Sequence, residues 1–304
     1  MASRRFEGRP VDLGAAFFTA DLEGPFGVAA KSWLDRGLAR PWTDTLSVSE
    51  PGRALVTKTG PMRYAAPGGL RSLLTDLAEG LDIELEHPFA SVSDAGREHS
   101  TVVLAMPDPQ ARRLLPAGSA TADRLSEGFD WAPTIAVALG WTERESPADG
   151  QPEHGRPGAR QLGPRRPEPR RPERPWAADF HGAFINGSPV LSFLADDGDR
   201  RGDAAPVLVA HSSAELAREH LENPDAAIPP ITEAALALLE FGDAPSWSHA
   251  HRWTFARPLA QHPEPYLLED GIGVCGDAWG ASSSVGTAWT SGDALGRAIA
   301  AQLG

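Results

Sequence analysis

The sequence predicts a mixed α/β fold, and three observations carry that prediction. Short apolar runs bounded by Gly and Pro alternate with segments whose apolar residues recur at helical spacing. Several strand-like runs follow one another in hairpin fashion. Near the end of the chain a strand, a loop of small residues and a long helix succeed each other.

Taken in order, "GGLRSLLTDLAEGL" places Leu70, Leu73, Leu74, Leu77 and Leu81 at helical spacing, so a helix is expected over Gly68 to Leu81. "DIELEHPFASV" alternates in part and gives way to a turn at Ser93 to Gly96. The run Val102 to Met106 is wholly apolar and is punctuated by Pro107 and Pro109. It reads as a strand buried on both faces, followed by a loop and a short helix. "PTIAVALGW", "AFINGSPVLSFLAD" and "APVLVAHSS" read as further strands. "SSAELAREHLENP" reads as a helix capped by Ser212 or Ser213 and stopped by Pro224. "PPITEAALALLEFG" reads as another, started by proline and ended by Gly242. One segment stands apart: residues 142–176 are crowded with Pro, Arg and Gly. They bury too little apolar surface to offset ordering entropy, so a disordered insertion or surface loop is expected.

Composition narrows the function classes. With 304 residues the chain can bury a sizeable core, and its net charge of -13 argues against nucleic acid or an anionic membrane as partner. The single cysteine, Cys275, excludes a disulfide framework and any multi-cysteine metal site, and it reads as a small buried hydrophobe. No stretch reads as a transmembrane helix or signal peptide, so a cytoplasmic protein is expected. His249-x-His251 has no further ligand suggested nearby, and no metal is expected.

"GIGVCG", Gly271 to Gly276, spells the G-x-G-x-x-G pattern of dinucleotide binding. That fingerprint needs a strand before the first glycine, and here the apolar Ile272, Val274 and Cys275 lie between the glycines. The six residues read as the strand itself, ending at Gly276-Asp277. The small-residue loop that follows leads into a helix carrying Ala288, Leu295, Ala298, Ile299 and Leu303. Such a strand–loop–helix can form an anion or polar-ring site: the helix start offers free N–H groups and partial positive charge, and Asp277 can accept hydrogen bonds from ligand hydroxyls. The alternative is an ordinary βα unit with Asp277 as a cap.

"GVCGDAWGASSSVGTAWTSGDALGRAI" resembles the C-terminal FAD motif of the amine oxidase-like flavoproteins, specifically the renalase-like NAD(P)/FAD-dependent branch. "MASRRFEGRPVDLGAAFFTA", "PGGLRSLLTDLAEGLDIELEH", "TVVLAMPDPQARRLL" and "SHAHRWTFARPL" agree with that branch. The resemblance implies a discontinuous Rossmann-type FAD-binding domain, over residues 1–30, 65–112 and 264–304. It also implies a mainly antiparallel-sheet substrate domain over 31–64 and 113–263. The family begins with a glycine-fingerprint βαβ start, whereas Met1 matches a position just after it. The expectation is that roughly thirty residues belong upstream, the size of one βα unit with its next strand. The alternative is a chain that has lost FAD with that unit.

By the same resemblance, FAD is the cofactor. Gly276 and Asp277 would meet its ribityl or pyrophosphate region, and Ser284, Val285, Thr287 and Ala288 would face the flavin N1–C2=O edge. Val92 would read the adenine, and Arg4 and Arg5 would lie against the phosphates. Phe17, Phe18, His251, Arg252 and Trp253 are candidates for the flavin face. Trp253 would stack on a planar substrate, Arg252 meet a phosphate or carboxylate, and His251 take part in proton transfer. "HRWTFA" also reads as a plain alternating strand. The implied function is oxidation of a reduced nicotinamide nucleotide or an amine, with molecular oxygen as acceptor. The rivals are a non-catalytic binding protein and a flavin-free NAD(P)-dependent dehydrogenase, which would need Gly271 to Gly276 as a pyrophosphate turn.

Overall fold

The computed structural model describes residues 3–6, 8–51, 53, 55–97, 99–125, 130–141 and 174–304. A hairpin of β1 (Ser3–Phe6) and β2 (Arg9–Asp12) leads to β3 (Phe18–Thr19) and helix α1 (Pro25–Asp35). Two long strands, β4 (Arg40–Ser49) and β5 (Val56–Ala65), precede α2 (Arg71–Leu77) and α3 (Val92–Ala95). Then come β6 (Val102–Ala105), α4 (Asp108–Leu114), α5 (Ala120–Arg124) and β7 (Trp131–Gly140). Next are β8 (Gly182–Ile185), β9 (Leu191–Asp196), α6 (Asp197–Arg201), β10 (Val207–Ser212), α7 (Ala214–Glu219) and α8 (Ile228–Leu238). The last elements are β11 (Trp247–Pro258), β12 (Leu267–Glu269), β13 (Ile272–Cys275) and α9 (Val285–Leu303).

The expected mixed α/β class is what the chain adopts. An eight-stranded sheet runs β11-β7-β10-β9-β8-β4-β5-β3 and is antiparallel except where β4 and β8 pair parallel. A three-stranded sheet, β12-β13-β6, joins β13 and β6 in parallel. Strand alternation gives the large sheet two faces. Ile135, Val137, Leu139, Leu194, Leu208 and Ala210 pack beneath α7 and α8, against Ile231 and Trp176. The opposite face presents small residues, Ala136 and Ala138, which let Val11 and Leu13 settle close to the sheet. Burying each of the Val, Leu and Ile side chains is worth roughly 1.5–3 kcal/mol.

Several expectations need correction. The helix over Gly68 to Leu81 is shorter, Arg71–Leu77, because the chain turns at Gly80 with φ +79. The turn at Ser93 to Gly96 lies within a helical turn, Val92–Ala95, capped by Ser91. Strand β6 is not buried on both faces: it is an edge strand, and Val103 is 43% exposed. The proline-rich insertion falls outside the described residues over 142–173, but residues 174–176 are anchored. Trp176 is a core residue whose Nε1 donates to Asp196 at 2.7 Å, and Arg174 ion-pairs with the same carboxylate. No helix among the described residues is long and apolar enough to cross a membrane.

The corner between β9 and β10, "DDGDRRGD", is a buried ionic network. Asp196 caps α6 by accepting from the Asp199 N–H at 2.8 Å, and Gly202 at φ +81 ends the helix in the left-handed region. Asp197 accepts from Arg200, from Arg201 Nε at 2.9 Å and from Arg9 Nη1 at 2.6 Å. Arg201 Nη2 reaches Asp12 at 3.0 Å, and Asp12 also accepts from Ser3 and from the Leu70 N–H at 3.1 Å. Arg200 Nη1 donates to the Ala16 carbonyl at 2.6 Å, and Arg201 Nη1 to Pro67 at 3.2 Å. Burial pushes the Arg200 guanidinium down to about 10, so it stays charged at neutral pH. Gly198 is required, since a Cβ there would fall 2.0 Å from the Ala205 carbonyl oxygen.

Asp197→Asn leaves Arg200, Arg201 and Arg9 facing a neutral amide, and stability is expected to fall by about 3–5 kcal/mol in urea denaturation. Lys31→Ala, which removes an exposed pair with Glu23, should change it far less. At the rim of the network His181 Nδ1 meets Asp199 Oδ2 at 2.6 Å, and this bond holds the imidazole above its ordinary value despite partial burial. The stabilisation is therefore complete below about pH 6.5 and is lost as pH rises through the raised folded value. The denaturation midpoint should fall across the window just above pH 6.5, and His181→Gln should flatten that part of the profile.

Candidate functional site

The junction from β12 to α9 accounts for each glycine of the G-x-G-x-x-G match. Asp270 (φ +49) and Gly271 (φ +78) form the two-residue left-handed turn of the β12–β13 hairpin. Gly273 lies inside β13, where a Cβ would fall 2.9 Å from Leu295 Cδ2, so its role is close approach of α9 to the sheet. The Gly276 N–H is taken by Ser291 Oγ at 3.1 Å. None of the three builds a pyrophosphate turn.

Asp277 follows the end of β13. Burial pushes its carboxyl above the usual range and neighbouring Asp108 adds to this, while a hydrogen bond from Ser283 Oγ opposes it. Helix α9 is capped by Ser284, whose Oγ accepts from the Thr287 N–H at 3.0 Å. Thr287 Oγ1 donates back to the Ser282 carbonyl at 2.6 Å. Ala288 N–H closes on Ser284 O at 3.1 Å. The N–H groups of Val285 and Gly286, in the first turn, have no acceptor within the helix. They sit at the positive end of a 19-residue helix, one short loop from Asp277.

A buried polar knot fixes this loop. Asp108 Oδ2 meets His262 Nε2 at 2.7 Å, Asp108 Oδ1 accepts from Trp279 Nε1 at 3.2 Å, and the His262 and Trp279 rings stack at 3.7 Å. The His262 N–H also donates to Ala278 O at 2.8 Å. Sequence reasoning missed this knot, because nothing local links residues so far apart in the chain. Val92 opens α3 and packs in the same apolar cluster as Trp279, Val274 and Leu104. Cys275, next to Val274 on β13, is also buried, which raises its thiol.

The other expected residues form a second group on β11. His251 and Trp253 lie on one face, their rings at 4.8 Å, and the Trp253 Nε1 donates to Leu13 O at 2.7 Å. Burial, then Arg4 and His249, push His251 below its ordinary value, so it is neutral at pH 7. Arg252 is turned away from these two: its Nη1 donates to Leu221 O at 2.6 Å, as strand alternation requires. Arg4 and Arg5 lie on the hairpin that covers this strand, where Phe6 stacks on Trp247 at 4.7 Å and Arg5 Nη1 donates to Gly8 O at 2.7 Å. Register places His251, Ala136, His211 and Phe193 in one row across the sheet. Phe18 is a core residue among Phe26, Trp33 and Tyr64, whereas Phe17 packs against Trp42 and Phe193. No hydrogen bond or ion pair among the described residues joins the β13–α9 group to the β11 group.

Two clefts of about 440 Å³ lie elsewhere. One, between Pro51, Asn186 and Leu238, holds no titratable group. The other, between α1 and α9, holds only Asp293 and Arg297, which pair with each other at 2.8 Å. The β13–α9 junction is the better candidate.

No protein-family model matches the sequence. A solved structure from Exiguobacterium sp. 255-15, described as a "putative protoporphyrinogen oxidase", superposes with a TM-score of 0.52 at 17% identity, over 79% of this chain. The chain spans about half, 52%, of that protein's length. At that identity the likeness shows a shared fold alone. Ser284→Ala, which removes the α9 cap, is expected to lower stability by about 1 kcal/mol in chemical denaturation.

Proposed function

We propose that the chain is an FAD-dependent oxidoreductase of the renalase-like branch, taking a hydride from a reduced nicotinamide-type or amine substrate and passing the electrons to oxygen. The observation that supports this best is the β13–α9 junction, where one half-buried carboxylate and a helix start whose first N–H groups have no acceptor within the helix share a small-residue loop. These residues fit FAD: Asp277 offers an acceptor for ribityl hydroxyls, and the Val285 and Gly286 N–H groups offer donors to an anionic ring edge. Bound FAD would supply the two-electron acceptor for the hydride.

The chain's own residues bind, orient and shield. The Asp108–His262–Trp279 knot holds Ala278 and Trp279 rigid, so Asp277 needs no reorganisation to meet its partner. In this proposal residues 1–30, 65–112 and 264–304 build the cofactor half, and 31–64 with 113–263 the substrate half. Arg4 and Arg5 contact phosphate, and Val92 lies beside the adenine. On the substrate side, neutral His251 can accept a hydrogen bond or a proton, and the indole of Trp253, held by Leu13 O, forms an apolar wall.

The test is a titration of purified chain with FAD, followed by flavin fluorescence. Wild type should bind, and Asp277→Ala should bind roughly ten- to a hundred-fold more weakly, the loss of a hydrogen bond to a charged group. Anaerobic addition of a dihydronicotinamide to the loaded protein should bleach the visible flavin band. Unchanged affinity in Asp277→Ala would overturn the placement of FAD, and no binding by wild type would overturn the proposal.

A further inference from the structure

Arg63 is a buried cation with no counterion in contact with it among the described residues. It lies in β5, paired in register with Thr43 of β4 and Thr19 of β3, and is only 8% exposed. Among the described residues no carboxylate comes within ion-pair distance of it. Asp44 acts on it through its field alone and spends Oδ1 on the Thr45 hydroxyl at 2.6 Å. The guanidinium makes one long bond, Nη1 to the Pro61 carbonyl at 3.3 Å, and its Nε is sealed from solvent with no partner. Arg200 and Arg201, more deeply buried, reach Asp197 and Asp12 at close range. A guanidinium covered to this extent with no anion beside it is unfavourable, so its retention requires an explanation.

The surroundings supply one. The Arg63 guanidinium carbon lies over the Phe17 ring, 5.5 Å from its centre. Phe17 touches Trp42 at 5.9 Å and Phe193 at 6.2 Å, and Phe193 touches His211 at 5.8 Å. His211 Nε2 is a second sealed polar atom without a partner, and burial holds that ring down to about 4, so it is neutral. A Cβ at Gly60 would fall 3.4 Å from Arg63 Nη2, so the glycine leaves the outer edge of the fork unfilled. An aromatic cluster beside a planar, bidentate cation matches a flat ligand carrying an anion.

We propose that Arg63, on strand β5 of the large sheet and over Phe17, binds the carboxylate or phosphate of a planar aromatic ligand. As a statement about the substrate of the proposed oxidoreductase it rests on the flavin proposal, but the binding site itself needs no cofactor.

The experiment is calorimetric titration of the FAD-free chain with benzoate, phenyl phosphate and benzamide, repeated on Arg63→Met and Arg63→Lys. One of the two anions should bind at least ten-fold more tightly than neutral benzamide, and which one does identifies the group recognised. Arg63→Met should erase that preference, and Arg63→Lys, which keeps charge but not the fork, should lose most of it. Without ligand, Arg63→Met should melt no lower than wild type, because an uncompensated buried charge has gone. Equal binding of anion and amide, no anion binding, or a melting temperature several degrees lower in Arg63→Met would overturn the site. The two proposals fail separately: anion preference without FAD binding would sink only the flavin proposal, and FAD binding without anion preference only this one.

Discussion

Asp197, buried and surrounded by Arg9, Arg200 and Arg201, is the contact on which the rest of this structure depends. Through it the turn between β9 and β10 is tied to the β1–β2 hairpin, and Arg201 continues the link to Asp12 and the Pro67–Leu70 loop. Arg200 adds a bond to Ala16, just ahead of Phe17. The hairpin is what covers the Ala136–Ala138 face and locks Trp253 through Leu13. The ionic network thus decides which part of the large sheet stays covered and where its aromatic row begins. Such a network is worth little as net stability, but breaking one member leaves charges buried, so it specifies one arrangement of the hairpin over the sheet.

The second organising feature is the way β13 delivers the chain into α9. A tight left-handed turn starts β13, Gly273 lets α9 lie against it, and Ser291 reaches back to Gly276. These contacts leave Asp277 and the first turn of α9 on the same side of the strand end. Strand β3 packs against α9 and pairs with β5, which carries Arg63. A cofactor at the strand end and a ligand beside Arg63 would therefore share neighbouring walls.

Local signals were legible in the sequence, and long-range ones were not. The Ser213 cap, the strand in "GIGVCG" and the helix after it follow from rules that act within a few residues, whereas the cap of that helix is Ser284 and not Asp277. Periodicity marked Leu74, Leu77 and Leu81 as one face, yet these remain well exposed, because spacing says which residues could be buried together and not what covers them. The same limit applies to Val102–Ala105, where an apolar run proved to be an edge. Asp12, Asp197 and Arg200 gave no signal: they read as ordinary surface charges until the fold brings Arg9 to Asp197, 188 positions away, and Arg200 close to Asp12. Arg63 was hidden for the same reason, and so was the pairing of Asp108 with His262. Trp176 sat at the end of a segment whose composition masked the one residue the core required.

The central claim is that the β13–α9 junction is a flavin site, and hydrogen exchange of the chain with and without added FAD tests it most directly. The account predicts that FAD slows exchange in the peptide spanning Asp277 to Ala288, where the Val285 and Gly286 amides have no acceptor within the helix, and leaves the core of the large sheet unchanged. Protection confined to other segments, or none at saturating FAD, would contradict it.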